Sequence, residues 1–247
     1  LGSNENDQGY AVSTDSVGNV YVVGASYGAF DGQYNFQDSE IENEDVFLIK
    51  YDSAGVKQWS RTLGHTSDQA AYGVAVDAFF NVYVTGRTIG TLLPPGFPRQ
   101  VSGSHDSPIG DHDVFLAKYR SDGYIHWIQL LGTVSADYGN AVKLDANGQH
   151  IYVVGHTLND LQQATPSTWA GDMDLFVSKF SSEGVLVWTR QLGTNQADAA
   201  NGVAIDVFGN IYAAGRTNGD LDGNAHAGAD DLCVVKYSDQ GVRLWTR

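Results

Sequence analysis

Short runs of apolar residues alternate with clusters of Gly, Asn, Asp and Ser along the whole chain. Within each run, apolar and polar side chains follow a period of two, and Val, Ile, Tyr, Phe and Trp predominate, which is typical of strands joined by turns. In the first unit this pattern predicts strands at residues 10–15, 20–26, 45–52 and 56–62. Helix signals are nearly absent, so the pattern predicts an all-β fold of consecutive antiparallel strands.

The same four runs occur four times, with a period of about sixty residues. Each copy opens on a Leu-Gly pair: Leu1-Gly2, Leu63-Gly64, Leu131-Gly132 or Leu192-Gly193. The four units cover residues 1–62, 63–130, 131–191 and 192–247. Since one such unit cannot bury a core alone, the repeat predicts a single domain over residues 1–247.

Four-stranded antiparallel meanders that repeat around an axis form a β-propeller, in which the first strand of each blade lines the central channel. We therefore predict four such blades in this chain. The tryptophan of each fourth strand, such as Trp59, is expected to pack against the neighbouring blade. Because no blade is split between the two ends, we expect a closed or nearly closed four-bladed body; the alternative is an arc that missing chain or another copy completes.

The turn between the first two strands of each unit contains a glycine or asparagine, which supplies the positive φ that a hairpin demands. The second unit reads Phe79-Phe80-Asn81 at this place. Either Asn81 takes the positive φ there, or the turn differs from the other three.

The repeat also resembles a known family. The succession Asp-x-Phe-x-x-Lys-Tyr, Gly-x-x-x-Trp, Leu-Gly, Asp, Gly-Val-Ala-x-Asp and Gly-Asn-x-Tyr-x-x-Gly is similar to the bacterial β-propeller repeats named for seven-bladed members, and its best copy lies at residues 215–237. The resemblance covers essentially the whole chain. It implies a propeller within a secreted or cell-surface protein, usually as one module of a larger architecture, and it provides no catalytic residues.

Charge and composition narrow the classes of partner. The formal net charge is −15 with only 14 Lys and Arg, which makes binding to nucleic acid or to an anionic membrane surface unfavourable. Cations or a basic partner fit better. No apolar run approaches the ~18 residues of a membrane helix, so we expect no membrane insertion. The chain begins at Leu1 without a signal peptide, which favours a processed or excised part of a longer protein, and Cys233 in an apolar run is expected to be buried.

Three aspartates recur in all four units. The series are Asp7, Asp68, Asp137 and Asp198; Asp15, Asp77, Asp145 and Asp206; and Asp45, Asp113, Asp174 and Asp231. A residue that every blade repeats is best explained by something every blade needs, and short carboxylates accept hydrogen bonds from turn amides. We favour this structural interpretation; the alternative is a ring of carboxylates that holds cations near the channel.

The loops between the second and third strands concentrate acidic residues, which suggests Ca²⁺ as a candidate cofactor. The fourth loop offers Asp220, Asp222, Asn224, Asp230 and Asp231 as oxygen ligands around a glycine turn. The spacing is incomplete for an EF-hand, because Asp231 stands where the twelfth-position glutamate is required. A solvated acidic loop without calcium is the alternative.

A mixed cluster of His105, Asp106, Asp111, His112 and Asp113 lies in the longest insertion. Imidazole and carboxylate together can bind a transition metal. The insertion is also rich in Gly, Ser and Pro, so an exposed contact loop is the favoured interpretation.

Aromatic residues in polar loops are plausible contact anchors, and we single out Phe30, Tyr34, Phe36, Phe97 and Trp169 as candidate partner-binding residues. Packing of the loop on itself is the alternative for each. The leading hypothesis is a non-enzymatic, extracellular structural or adhesive module that presents its long inter-strand loops to a protein or glycan partner, with calcium as a candidate stabiliser.

Two other function classes stay open. A quinone- or metal-dependent propeller enzyme would hold its cofactor at the channel mouth, but Tyr51 to Gly55 with Trp59 shows only what any outer hairpin of this type would show. A repeating subunit of an extracellular filament would self-assemble. No Ser-His-Asp order or phosphate loop stands out, and a fold alone does not confer an activity.

Overall fold

In the computed structural model, the strands form four antiparallel sheets of four strands, each paired in chain order. The structure describes residues 2–32, 43–64, 67–90, 92, 110–161 and 169–247. Blade 1 consists of β1 (Asp7–Thr14), β2 (Val20–Ser26), β3 (Asp45–Tyr51) and β4 (Lys57–Leu63). Blade 2 consists of β5 (Gln69–Val76), β6 (Val82–Thr88), β7 (Asp113–Tyr119) and β8 (Ile125–Leu131).

Blade 3 consists of β9 (Asp137–Leu144), β10 (His150–Thr157), β11 (Asp174–Ser181) and β12 (Leu186–Leu192), and blade 4 of β13 (Asp198–Ile205), β14 (Ile211–Thr217), β15 (Asp231–Tyr237) and β16 (Arg243–Thr246). The expected all-β class with four four-stranded blades is confirmed. Helical backbone in the described residues is confined to two short 3₁₀ turns at Phe30–Gly32 and Leu221–Gly223. None of the described helices is long and apolar enough to cross a membrane.

The first strand of every blade contains a β-bulge at the same place, which explains the repeated glycine in the second strand. The extra, unpaired residues are Tyr10, Tyr72, Asn140 and Asn201. The glycines that face the bulges are Gly24, Gly86, Gly155 and Gly215. A Cβ on any of these glycines would overlap a carbonyl oxygen of the bulged strand. The bulge brings the two backbones so close that only glycine fits.

Neighbouring blades pack through their first strands, which lie side by side in the order β1, β5, β9 and β13. At the rim, Trp127 lies 3.1 Å from the position of a Cβ on Gly184 in the next blade, and Trp188 lies 3.0 Å from that of Gly241. Trp188 also donates its Nε1–H to the carbonyl of Asp239 in blade 4, at 3.2 Å. The expected packing of the tryptophans against the neighbouring blade is confirmed for these two.

The first and last blades do not close a ring. Among the residues described above, no packing of β13 against β1 compares with that between successive blades. Val12 on blade 1 and Leu232 on blade 4 are consequently exposed. The expected closed or nearly closed body is therefore wrong, and the four blades form an open arc. Sequence periodicity does not reveal closure, because closure depends on the angle between neighbouring blades.

The turns between the first two strands have one form in blades 1 and 2, despite the different sequences. Gly18 donates its N–H to the carbonyl of Asp15 at 3.2 Å, and Phe80 donates to that of Asp77 at 3.0 Å. Phe80, with φ of 66°, takes the positive φ in blade 2. The expectation that Asn81 takes the positive φ is therefore wrong. Its side-chain amide instead donates to Asp77, at 2.8 Å.

Candidate functional site

The aspartates at the start of the first strands hold the entry turn of their blades. Asp7, Asp137 and Asp198 each accept, at Oδ2, a hydrogen bond from the backbone N–H of the residue four positions earlier, at 2.7, 2.6 and 2.6 Å. In blade 2 the matching register position belongs to Gln69, which pairs with Thr88. The structural interpretation is confirmed for three members, whereas Asp68 lies one residue earlier and is not equivalent to them.

The aspartates of the second series organise the turns after the first strands. In Asp15, Asp77 and Asp206, Oδ1 accepts backbone amides two and four residues further on, while Oδ2 accepts an asparagine amide and a tyrosine hydroxyl. Hydrogen bonds, first from the Asn210 side chain, lower the pKa of Asp206 to about 2. Asp145 differs, since its Oδ2 lies 2.8 Å from Nδ1 of His150. The structural interpretation is confirmed for this series.

The third series explains the Leu-Gly pairs. Asp45, Asp113 and Asp174 are buried, and each side chain occupies the place that a Cβ would take on the glycine of a Leu-Gly pair. The glycines concerned are Gly64, Gly132 and Gly193. Burial, with a contribution from the charge of Asp68, raises the pKa of Asp45 to about 7. These carboxyl groups are therefore packing elements between blades.

The residues expected to bind calcium each have a protein partner. Asp222 lies 2.8 Å from Arg243, and Asp230 lies 3.1 Å from Arg216. The carboxylates of Asp220 and Asp231 accept the amides of His226 and Ala227, at 2.7 and 2.6 Å, and Asn224 donates to the carbonyl of Leu221 at 2.9 Å. These contacts account for the acidic residues without an ion. The calcium site stays a prediction from their spacing.

The mixed histidine and aspartate cluster is described only for residues 111–113; His105 and Asp106 lie outside the described residues. Nε2 of His112 lies 2.6 Å from Arg87, and its ring stacks on Tyr138. Asp111 points to solvent, while Asp113 is buried. In the part of the chain that the structure describes, no group of three or more His, Cys, Asp or Glu side chains is arranged to hold a metal ion.

Two of the five expected contact aromatics can be located. Trp169 is exposed, and its Nε1–H donates to the carbonyl of Asp172 at 3.3 Å. Phe30 is buried and stacks on Phe47 with ring centroids 4.5 Å apart, so its expected role as a surface anchor is corrected to one in the core. Tyr34, Phe36 and Phe97 lie outside the described residues.

One end of the arc carries an exposed apolar surface that the sequence reasoning missed. We call it the turn face: the hairpin turns that follow the first and third strands of each blade, at residues 15–19, 52–56, 77–81, 120–124, 145–149, 181–185, 206–210 and 238–242. Its exposed large apolar residues are Val17, Val56, Phe79, Tyr124, Val185, Val207, Phe208 and Val242. Among the described residues, half of the exposed large apolar side chains therefore lie in these turns. Exposed apolar side chains gathered on one face make that face a candidate interaction surface.

The most exposed of these side chains lie at the tips of the turns. Phe79, Val207 and Phe208 are 76%, 92% and 85% exposed. Val207 and Phe208 border a groove of about 510 Å³ between blades 3 and 4. Phe79 borders a second cavity of about 330 Å³ beside the first strands of blades 1 to 3. Apolar side chains at turn tips without apolar partners were the available sequence signal.

Comparison with known proteins agrees with the repeat. The SBBP β-propeller repeat matches residues 1–31, 58–94 and 187–222. Two curated relatives are the regulatory protein FlaEY of Caulobacter vibrioides, 28% identical over 78% of this chain, and an uncharacterized WD repeat-containing protein of Acanthamoeba polyphaga mimivirus, 25% identical over 78%. The chain spans 20% and 16% of the lengths of these two relatives.

A solved structure of a protein of unknown function from Bacteroides caccae covers 98% of this chain, which in turn covers 81% of that protein, with 9% identity and a TM-score of 0.37. The arrangement of four similar antiparallel sheets agrees with the repeat that the three matched stretches share. The chain carries the SBBP β-propeller repeat.

Proposed function

We propose that this chain is a non-enzymatic module of a secreted or cell-surface protein, with a structural or adhesive role, and that it binds a protein partner through the turn face. The observation that carries the proposal is the set of exposed apolar side chains at the turn tips. The location outside the cell rests on the resemblance to bacterial propeller repeats alone.

The turn face combines a rigid base with projecting apolar groups. The aspartates of the turns fix the backbone, as Asp206 does by accepting amides from Phe208 and Asn210 at 2.9 and 2.8 Å. The backbone of Phe208 is therefore fixed before binding, which lowers the entropic cost of an interface. Aromatic side chains that project from ordered turns are typical anchors of protein interfaces.

The partner is expected to present an apolar patch with basic residues around it. The net charge of −15 attracts a basic surface and repels nucleic acid. Electrostatic complementarity of this kind acts mainly on the rate of association. The recurrent aspartates described above serve turns and blade contacts, which supports a binding role over a catalytic one.

The Phe79→Asp/Phe208→Asp variant tests the proposal. We expect it to lose about thirtyfold or more in affinity, because two anchors are replaced by charges that the interface would have to desolvate. The measurement is retention of surface and secreted proteins of the source cell on immobilised chain, followed by titration of the retained protein. Val187→Asp, at an exposed position on the rim, is the matched control and should bind like the wild type. Equal retention by both variants would contradict a role for the turn face.

A further inference from the structure

Each blade has an outgoing side, which faces the following blade, and an incoming side, which faces the preceding blade. The three interfaces between blades show what normally covers the outgoing side. Val46, Val114 and Leu175 occupy the second position of the third strand in blades 1 to 3, and they are 0%, 1% and 1% exposed. Each belongs to a buried cluster that includes residues of the following blade, and Cγ1 of Val114 lies 2.8 Å from the position of an added Cβ on Gly139 in blade 3. The equivalent residue of blade 4 is Leu232, which is 77% exposed. Blade 4 thus carries an uncovered outgoing side.

On the incoming side of blade 1, Phe30 packs on the buried Phe47 of the third strand, and the first strand is uncovered. Val12 is 65% exposed, whereas its equivalents Val74 and Val142 are 9% and 6% exposed because the preceding blade covers them. The two ends of the arc are therefore complementary halves of an interface that the chain forms three times within itself. Strand register identifies the residues that correspond to one another in the two halves.

The rim hairpins show the same complementarity. Gly123, Gly184 and Gly241 each contact a side chain of the preceding blade, with Arg61, Trp127 and Arg190 at 3.0, 3.1 and 3.0 Å from an added Cβ. The equivalent glycine of blade 1, Gly55, has nothing within 4 Å. Gly55 is therefore the place where a side chain of a preceding blade would make this contact.

Blade 4 has an arginine in the position from which this contact is made. In the internal interfaces, Arg61 donates its Nε–H to the carbonyl of Gly123 at 2.9 Å, and Arg190 donates to that of Gly241 at 2.7 Å. Arg247 takes the equivalent place and, like Arg61 and Arg190, donates Nη1–H to the carbonyl of the preceding residue. Arg247 is already held in the geometry that reaches a carbonyl in the next blade.

The lysines of the third strands give an independent indication. Lys118 and Lys179 donate to the carbonyls of Ser182 and Asp239 in the following blade, at 3.1 and 3.2 Å. Lys236 is the equivalent residue of blade 4 and lies 3.7 Å from Asp206 of its own blade. The position in blade 1 that corresponds to Ser182 and Asp239 is Ser53, which Lys236 of another molecule would reach.

We propose that a second copy of this chain covers the open end, with blade 4 of one molecule packed against blade 1 of the next. The interface is head-to-tail because its two halves are different surfaces. It reproduces the internal contacts: Leu232 against Gly9 in the strand that carries Val12, as Val114 lies against Gly139, with Arg247 against the carbonyl of Gly55 and Lys236 against that of Ser53. It uses the backbone of Ser53 and Gly55 in the turn face, but none of the apolar side chains that project from that face.

Sedimentation equilibrium of the 247-residue chain tests the proposal. The wild type should associate with rising concentration, and salt should strengthen the association because each copy carries a charge of −15. Val12→Asp and Leu232→Asp should each stay monomeric up to at least a tenfold higher concentration. The controls are Val187→Asp and Leu244→Asp, whose positions are exposed in every blade and should associate like the wild type.

Mixing the two monomeric variants decides the geometry. The Val12→Asp chain keeps an intact blade 4, and the Leu232→Asp chain keeps an intact blade 1, so an equimolar mixture should form a one-to-one heterodimer. A wild type that stays monomeric at all concentrations, or a mixture that does not associate, would overturn the proposal. Circular dichroism melts of all variants confirm that the folds are intact. The Phe79→Asp/Phe208→Asp variant should associate normally, which separates this result from the test of the turn face.

Discussion

Replacing Gly155 with alanine is expected to destabilise the protein by more than about 3 kcal/mol, at or above the upper end of the usual cost of overpacking. The added Cβ would overlap the carbonyl oxygen of Tyr138 and would also press on the ring of Phe176. Backbone cannot move aside as a flexible side chain can. Relief would require the bulge around Asn140 to open, which breaks strand pairing in the first strand of blade 3. The measurement is the free energy of unfolding in urea, followed by circular dichroism.

Gly202→Ala is the matched control for Gly155→Ala. Gly202 also lies in a strand, but nothing lies within 4 Å of an added Cβ. We expect its free energy of unfolding to change by less than about 1 kcal/mol, because alanine fits and restricts the unfolded chain. A Gly155→Ala variant as stable as Gly202→Ala would show that the bulge does not hold the two strands at this distance.

Replacing Asp45 with asparagine is expected to stabilise the protein at pH 8 by on the order of 2–4 kcal/mol, since one pKa unit corresponds to about 1.4 kcal/mol. Burial, with the charge of Asp68, raises the pKa of Asp45 from 3.8 to about 7. The folded protein therefore binds this proton more tightly than the unfolded chain. The contribution of Asp45 is fully present below pH 3.8 and is lost as the pH rises through about 7. Asparagine imitates the protonated carboxyl group and removes this loss.

The pH profile of the difference between wild type and Asp45→Asn is the measurement. The free energies of unfolding should converge near pH 4, separate progressively as the pH rises to about 7 and differ by a constant amount above that, with the variant more stable. Asp206→Asn is a control of opposite sign, because the pKa of Asp206 is lowered to about 2. Its contribution is present above about pH 3.8 and is lost as the pH falls through about 2, so this variant should be the less stable one at pH 7. A constant difference for Asp45→Asn across this range would contradict the buried-carboxyl assignment.

The sequence predicts the blades well because strand alternation and turn chemistry are local. All four strands of blade 1 lie where the pattern predicts them, with β2 at Val20–Ser26 as expected. The structural roles of Asp15 and Asp206 also follow from short-range rules, since their hydrogen bonds end within six residues along the chain.

Features that depend on longer distances were not predictable in the same way. Asp68 is not a member of the series of Asp137, because Gln69 holds the equivalent register position, three residues before the bulge in both blades. Phe30 looked like a loop anchor because its neighbours along the chain are polar, yet it stacks on Phe47 of the third strand. The open arc depends on the rotation between blades, which no single repeat encodes.

The candidate site was missed for a different reason. Hairpin turns of this length normally serve as connections, whereas long loops are the usual place of contact residues. Phe79 and Phe208 follow aspartates that fix the turn, so their side chains point outward whatever their polarity. The turn itself does not require a large apolar residue after the aspartate. A large apolar residue at this position is therefore a signal of a contact surface in other repeats of this type.

A native mass spectrum of the protein as isolated, without chelator, tests most directly whether the chain is an interaction module and not an enzyme. It reports the chain mass, the number of copies and any retained ion or cofactor in one experiment. We expect multiples of the 26.6 kDa chain with no organic cofactor and no transition metal. A stoichiometric quinone or transition metal would contradict the account.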